Sequence, residues 1–211
     1  MDKLVRGLEQ LGITLRADQI EAFRVYAEMV AAVPHNLTAL RDHEGILVQH
    51  FLDSLVIMKY FELDYTKKFC DVGSGAGFPL MPLKIVCPEM DVTFIDSRQK
   101  SVEFLNDVIR RFDLRKCRTI HQHTTQMKDP EKGLYDYCLI RALSDVTYIL
   151  ENCLFLLKKG GELFLYKGPK HGEELRAVPK KMQEKILETE VREVQVPFLD
   201  RTRFIVRIKK A

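Results

Sequence analysis

The chain has no tryptophan, no Cys-x-x-C pair, and no apolar run near the ~18 residues needed to cross a bilayer. The start, MDKLVRGLEQLGITL, carries mixed charge and lacks the apolar stretch of a secretory signal. Its five cysteines, Cys70, Cys87, Cys117, Cys138 and Cys153, are odd in number, and most sit in apolar stretches such as KFCDV and YDYCLI. They read as small buried hydrophobes in a reducing compartment, which excludes a disulfide scaffold. Internal repeats and low-complexity segments are also lacking. With 211 residues, 46% of them hydrophobic and 30% charged, the chain is expected to be a soluble, cytoplasmic, monomeric globular protein.

Two grammars divide the sequence. Residues 1–62 read as a helical extension: Ile20, Phe23, Ala27 and Val30 recur at helical steps before Pro34, and Leu47, Phe51, Leu55 and Met58 form a second stripe. Residues 63–211 alternate strand-like and helical runs. KKFCDV, DVTFID, CRTIHQ, YDYCLI and GELFLY are short β-rich segments, with helical patterns over 79–87, 99–112 and 144–157. That alternation predicts an α/β domain with a mostly parallel sheet covered on both faces. REVQVPF and RTRFIVRIK are joined by the short link LDRT, too short for a helix, and predict a C-terminal antiparallel hairpin. A seven-stranded, Rossmann-like methyltransferase fold has this plan.

The chemistry is concentrated in FCDVGSGAGFPLMPLKIV, a strand ending in Asp71, a turn with Gly73, Gly75 and Gly77, and then a helix. Glycine permits positive φ and brings bare backbone against a ligand at a helix start. A second acid, Asp96, ends the next strand 25 residues later, where a carboxylate accepts ribose hydroxyls. A nicotinamide-binding turn reads G-x-G-x-x-G and faces a pyrophosphate. Here the spacing is G-x-G-x-G, and Asp71 would repel a pyrophosphate. S-adenosyl-L-methionine carries a sulfonium and an ammonium and no phosphate, so the acidic flank favours that donor over another nucleotide.

DVGSGAGFP, with NLTAL and HFLDSL before it and IRAL and YKG after it, resembles the RsmG (GidB) family over about Asn36 to the C-terminus. That resemblance implies an enzyme that methylates guanine N7 in small-subunit (16S) ribosomal RNA, with ribosomal RNA or the small ribosomal subunit as partner. It implies donor contacts from Gly73 and Phe78, from the backbone at Thr124 and Thr125, and from Arg141. The chain departs from the family pattern at Leu80, where the family usually has glycine, and at His123-Thr124-Thr125, where it usually carries Arg-x-Glu.

Arg141 also stands at the carboxyl end of a strand, where open α/β sheets place ligands, and is a candidate for substrate as well as donor. Lys167 and Lys170, in YKGPK, are candidates for RNA phosphates. Residues 1–66 hold 6 Lys/Arg against 10 Asp/Glu, and the remainder holds 27 against 20. Basic clusters at 110–118, 166–170 and 201–210 would form a phosphate footprint if they converge. His121 and His123 lack further ligands at a metal-site spacing and read as loop residues. His50 and Asp53, one helical turn apart, read as a structural pair tying their helix to NLTAL, with a catalytic dyad as the rival reading. Guanine N7 offers a free lone pair, so no general base is expected. Two other readings stay open: a methyltransferase of small molecules or proteins, and a donor-binding ribosome-assembly factor without turnover.

Overall fold

The computed structural model describes residues 1–33, 42–127 and 131–211, so NLTAL lies outside the described residues. Seven strands form one sheet: β1 (Lys68–Val72), β2 (Asp91–Asp96), β3 (Cys117–His121), β4 (Tyr135–Arg141), β5 (Leu157–Lys167), β6 (Ile186–Val194) and β7 (Arg203–Lys210). Their order is β3-β2-β1-β4-β5-β7-β6. The first five are parallel, and β7 runs antiparallel to both of its neighbours. Successive side chains alternate between faces, and the sequence supplies apolar groups for both. Phe69, Phe94, Leu139, Phe164 and Ile205 enter one core. Cys70, Ile95, Cys138, Leu163 and Val206 enter the other. Each large side chain buried this way contributes about 1.5–3 kcal/mol.

The first core is completed by the N-terminal helices α1 (Asp2–Gln10), α2 (Ala17–Ala32), α3 (His43–Gly45), α4 (Asp53–Leu55) and α5 (Ile57–Tyr60). Phe23 and Phe51 approach at 5.1 Å between ring centroids, and Tyr26 stacks on Phe51 at 5.2 Å. Gln19 caps the end of α6 (Leu80–Val86), donating to the carbonyls of Ile85 and Val86 at 2.9 and 2.8 Å. The extension therefore packs into the same core as the sheet. Between α3 and α4 the helix widens into a π turn, Ile46–Leu52, a form that recurs at functional sites. α7 (Gln99–Arg111) flanks β2 and β3 and sends Leu105 and Val108 into the first core, whereas the second core is covered by α8 (Val146–Cys153), with α9 (His171–Arg176) and α10 (Lys180–Gln183) following β5.

The hairpin forms, but with different strand limits. The strand expected over 192–198 occupies Ile186–Val194 instead, and the connection to β7 runs through residues 195–202. Pro197 has no amide to give the ladder, and Phe198 takes a φ of +64°, so pairing cannot pass Val194 by much. The helix expected over 144–157 ends at Cys153, a 3₁₀ turn follows, and β5 begins at Leu157.

Candidate active site

The glycine turn follows β1 at the carboxyl end of the sheet. Gly73 has φ +71°, and a Cβ there would lie 2.6 Å from Leu143 Cδ1. At Gly77, φ +98°, a Cβ would meet the Tyr26 hydroxyl at 2.8 Å and Met81 Cβ at 2.9 Å. At Gly73 the positive φ disfavours a side chain even though the Leu143 tip could yield, and at Gly77 the conformation and the crowding both do. Gly73 donates to the carbonyl of Ile95 at 2.8 Å, locking the turn to the end of β2. Tyr26 donates to the carbonyl of Ala76, so the helical extension buttresses the turn from behind.

Asp71 and Asp96 both face this turn. Asp71 is fully buried, and its Oδ2 accepts from the Leu80 amide at 3.3 Å. Its Oδ1 has no partner among the described residues. Burial, above all, pushes its pKa up to about 7, against the pull of the Leu80 amide and the charge of Arg141. A buried carboxyl left partly unsatisfied is costly, and a cationic ligand relieves it. Asp96 accepts from the Gly75 amide at 2.8 Å and the Arg98 amide at 2.9 Å, and Arg98 Nε reaches it at 3.2 Å. The Arg98 side chain is half exposed.

A narrow slot opens beside Asp96, lined among others by Gly73, His123, Thr124, Leu143 and Tyr148. Thr124 is buried and lines it, whereas Thr125 is exposed and does not. His123 Nδ1 instead caps the short turn Thr124–Gln126 by accepting from the Thr125 amide at 3.3 Å. Leu80, the bulkier residue of the first departure, is buried in the core and meets the site only through its amide. Tyr148 carried no sequence signal of its own, because an aromatic on an amphipathic helix reads as core. The Asp145 carboxylate caps α8 through the Tyr148 amide at 2.9 Å and so starts the helix that presents it.

On the other side of residues 141–143 lies a cavity of about 520 Å³. Its walls come from the π turn and α4 (Gln49, His50, Asp53), from β4 and β5 (Arg141, Tyr166, Lys167), and from the approach to β7 (Arg201, Arg203). Arg141 Nη1 donates to the Gln49 carbonyl at 3.0 Å and to Asp53 Oδ2 at 3.1 Å, and its Nη2 meets His50 Nδ1 at 2.9 Å. Burial first, and the Arg141 charge second, lower the His50 pKa to about 3, so the ring is neutral. With Nδ1 accepting from a guanidinium, the ring hydrogen is assigned to Nε2. Phe78 lies stacked against His50 at 4.3 Å and under the Arg141 guanidinium at 5.0 Å. Among the described residues His50 and Asp53 both hold Arg141, and the expected tie to NLTAL lies outside the described residues. Asp53, almost wholly buried, also accepts from Arg203 Nε at 3.0 Å.

Lys167 reaches the cavity but is engaged, donating to the Ser144 carbonyl at 2.5 Å and to Glu174 at 2.7 Å. Lys170 is exposed just before α9 and is not among the lining residues. Of the three basic clusters, 166–170 and 201–210 meet at this cavity through Lys167, Arg201 and Arg203, and 110–118 does not join them. The 110–118 segment leads into the amino ends of β2 and β3, where Lys116 pairs with Glu89 and Arg118 with Glu131. Fully buried Lys84 pins this end by donating to the carbonyls of Pro88, Met90 and Arg115. His121 Nε2 contacts the Ser97 carbonyl at 3.0 Å. Among the described residues no three His, Cys, Asp or Glu gather as a metal site.

Residues 19–205 match the family described as rRNA small subunit methyltransferase G. The chain is 35% identical over 210 residues to a ribosomal RNA small subunit methyltransferase G of Bacillus cereus, covering 96% of this chain and 87% of that protein. Its counterpart in Staphylococcus carnosus is 36% identical over 177 residues, 82% of this chain and 74% of that one. In fold the chain is similar to a SAM dependent methyltransferase from Aquifex aeolicus, with a TM-score of 0.62 at 20% identity over 85% of this chain and 99% of that one. A SAM-dependent O-methyltransferase from Thermotoga maritima gives 0.56 at 18% identity, over 75% and 64%. An acid-flanked glycine turn beside an arginine-lined cavity, on a sheet of this order, is thus joined to a sequence match along most of the chain: the protein belongs to the rRNA small subunit methyltransferase G family.

Proposed function

We propose that this protein transfers a methyl group from S-adenosylmethionine to N7 of a guanosine in small-subunit ribosomal RNA. The coarser activity, methylation of small-subunit ribosomal RNA, follows from the family. The structure's donor set suits the cofactor: a buried carboxylate oxygen on Asp71 with no partner among the described residues, a second carboxylate on Asp96, and a turn whose three glycines all take positive φ. Gly73, Gly75 and Gly77 would hold the donor with Asp71 and Asp96, Thr124 and the Thr125 backbone would bound its far end, and Phe78 and Arg141 would stand at the junction with the substrate. Lys167 and Lys170 would steady the RNA. When bound, the donor supplies a methyl group activated by a sulfonium.

The observation that carries the N7 assignment is that, among the described residues lining the cavity, His50 and Asp53 are both engaged by guanidinium groups. His50 is neutral but too weakly basic, with a pKa of about 3, and its Nδ1 is taken by Arg141. Asp53 is gripped by two guanidinium groups. Methylation of an exocyclic amine or a ribose hydroxyl must lose a proton at the attacked atom, whereas N7 attacks with an in-plane lone pair and loses none. The residues' work is then alignment of that lone pair at about 3–3.5 Å from the methyl carbon. Arg141, fixed by three partners, and the Phe78 face supply a rigid wall for the base, which is reached most easily when splayed from its stack. Residues 1–62 act as an appendage of the 63–211 unit, supplying His50 and Asp53, and the protein works as a cytoplasmic monomer.

The test is transfer of labelled methyl to extracted small-subunit RNA and to assembled subunits, followed by nucleoside analysis. The expected product is 7-methylguanosine, with strand cleavage under borohydride and aniline. Label in another nucleoside or in protein, activity that survives RNase, or donor binding without turnover would each overturn the assignment.

A further inference from the structure

We propose that Arg201 and Arg203 form an anion subsite that takes a backbone phosphate of the RNA beside the target base; this rests on the RNA-methylating function above. Four cations line the cavity: Arg141, Lys167, Arg201 and Arg203. Two carboxylates answer them. Asp53 is shared between Arg141 and Arg203, and Glu174 is paired with Lys167. Arg201 has no carboxylate partner among the described residues; its Nη2 donates to the neutral amide oxygen Gln49 Oε1 at 2.6 Å. The cavity therefore keeps two positive charges that its own side chains leave unbalanced.

The same strand shows what full neutralisation looks like. Arg207, four residues beyond Arg203, faces Glu162, Glu188 and Glu190 together. Charge at Arg207 is matched by carboxylates, whereas at Arg201, where the chain enters the cavity, it is not. Arg203 spends Nε and Nη2 on Asp53, and its Nη1 has no partner among the described residues. Arg201 likewise keeps Nε and Nη1. A guanidinium fork with unused N–H groups matches the oxygens of a phosphate better than any other common group. The cavity, at about 520 Å³, has the size of sites that take a whole small ligand, so a nucleotide with its phosphate fits where a bare base would leave space. Asp53 acts as the spacer, holding Arg141 towards the base and Arg203 towards the backbone.

The deciding variant is Arg201→Ala, because Arg201 does not touch Asp53 and its loss leaves the buried ion pairs in place. With the full-length enzyme, KM for extracted small-subunit RNA is expected to rise about tenfold or more, as for a lost charged hydrogen bond. The slope of log affinity against log salt is expected to flatten by about 0.7, one phosphate's share on single-stranded RNA. Donor affinity by calorimetry stays at the wild-type value, and Arg201→Lys recovers most of the salt slope. Arg115→Ala, at the opposite end of the sheet, moves none of these. Wild-type KM and salt slope in Arg201→Ala would overturn the subsite, as would a matching loss of donor affinity. If the wild-type enzyme itself makes no 7-methylguanosine, the function assignment fails; if it does and Arg201→Ala behaves as wild type, only the subsite fails.

Discussion

The slot at the glycine turn and the cavity beyond residues 141–143 lie side by side, yet they are built from opposite materials. The slot is lined by Asp96 and the glycine turn, with Asp71 buried behind that turn, and the Arg98 guanidinium over Asp96 is half exposed. The cavity presents guanidinium groups gathered on a single buried carboxylate, Asp53. Acids with bare backbone suit a cationic donor, and surplus arginine suits a polyanionic acceptor. The three consecutive residues Arg141, Ala142 and Leu143 serve both: Arg141 and Ala142 face the cavity, and Leu143 faces the slot and packs over Gly73. Ala142 makes that reversal possible by adopting φ +57°, a conformation that alanine takes only at some cost.

The sharpest way to break the contrast is to remove the carboxylate from the arginine side. Asp53→Ala leaves Arg141 and Arg203 without their shared counter-charge in a mostly buried setting, and removing one partner of such a cluster costs about 3–5 kcal/mol. Urea unfolding should show that loss, and a variant within about 0.5 kcal/mol of wild type would mean that solvent already screens the cluster.

Removing a carboxylate from the other side should act on the ligand rather than the fold. Asp96→Ala is expected to weaken donor binding by roughly ten- to 150-fold, the range for a lost charged hydrogen bond of about 1.5–3 kcal/mol. RNA affinity should hold. Unchanged donor affinity by calorimetry would take Asp96 out of the slot.

The smallest effect is a pH dependence. With its pKa at about 7, Asp71 ionises as pH rises through neutrality. The donor's α-ammonium, with a pKa of about 7.7–8.0, remains charged over the same window. Donor affinity should therefore rise between about pH 6 and pH 7 by at most tenfold per unit, and Asp71→Asn should flatten the profile. In the ligand-free protein the sign reverses. The folded chain keeps a proton that the unfolded chain releases near pH 3.9, so the stability this group contributes falls as pH rises from about 3.9 to about 7. A donor affinity flat with pH in the wild type would show that Asp71 does not sense the ligand's charge.

Features carried by neighbouring residues were legible in the sequence. The strand–glycine–helix turn, the alternation of strand and helix, and the closing hairpin each depend on residues within about a dozen positions of one another. The strand limits at the hairpin were less so, because REVQVPF alternates well enough by itself and only pairing with β7 shows that Ile186–Val194 fills the ladder. Only part of the basic charge reaches the cavity, for a related reason: counting charge along the chain does not reveal that Lys116, Arg118 and Arg207 find acidic partners away from it.

The sequence by itself determined the glycine turn proposed to hold the donor. A glycine turn with positive φ and acids at two successive strand ends is a local matter of backbone sterics and spacing, and few other arrangements satisfy it. The arginine-lined cavity proposed for the acceptor was decided only by tertiary structure. Asp53 meets Arg141 across 88 residues and Arg203 across 150. Its partners are chosen by the packing of a π turn against the carboxyl end of the sheet, so no pattern within either segment could announce them.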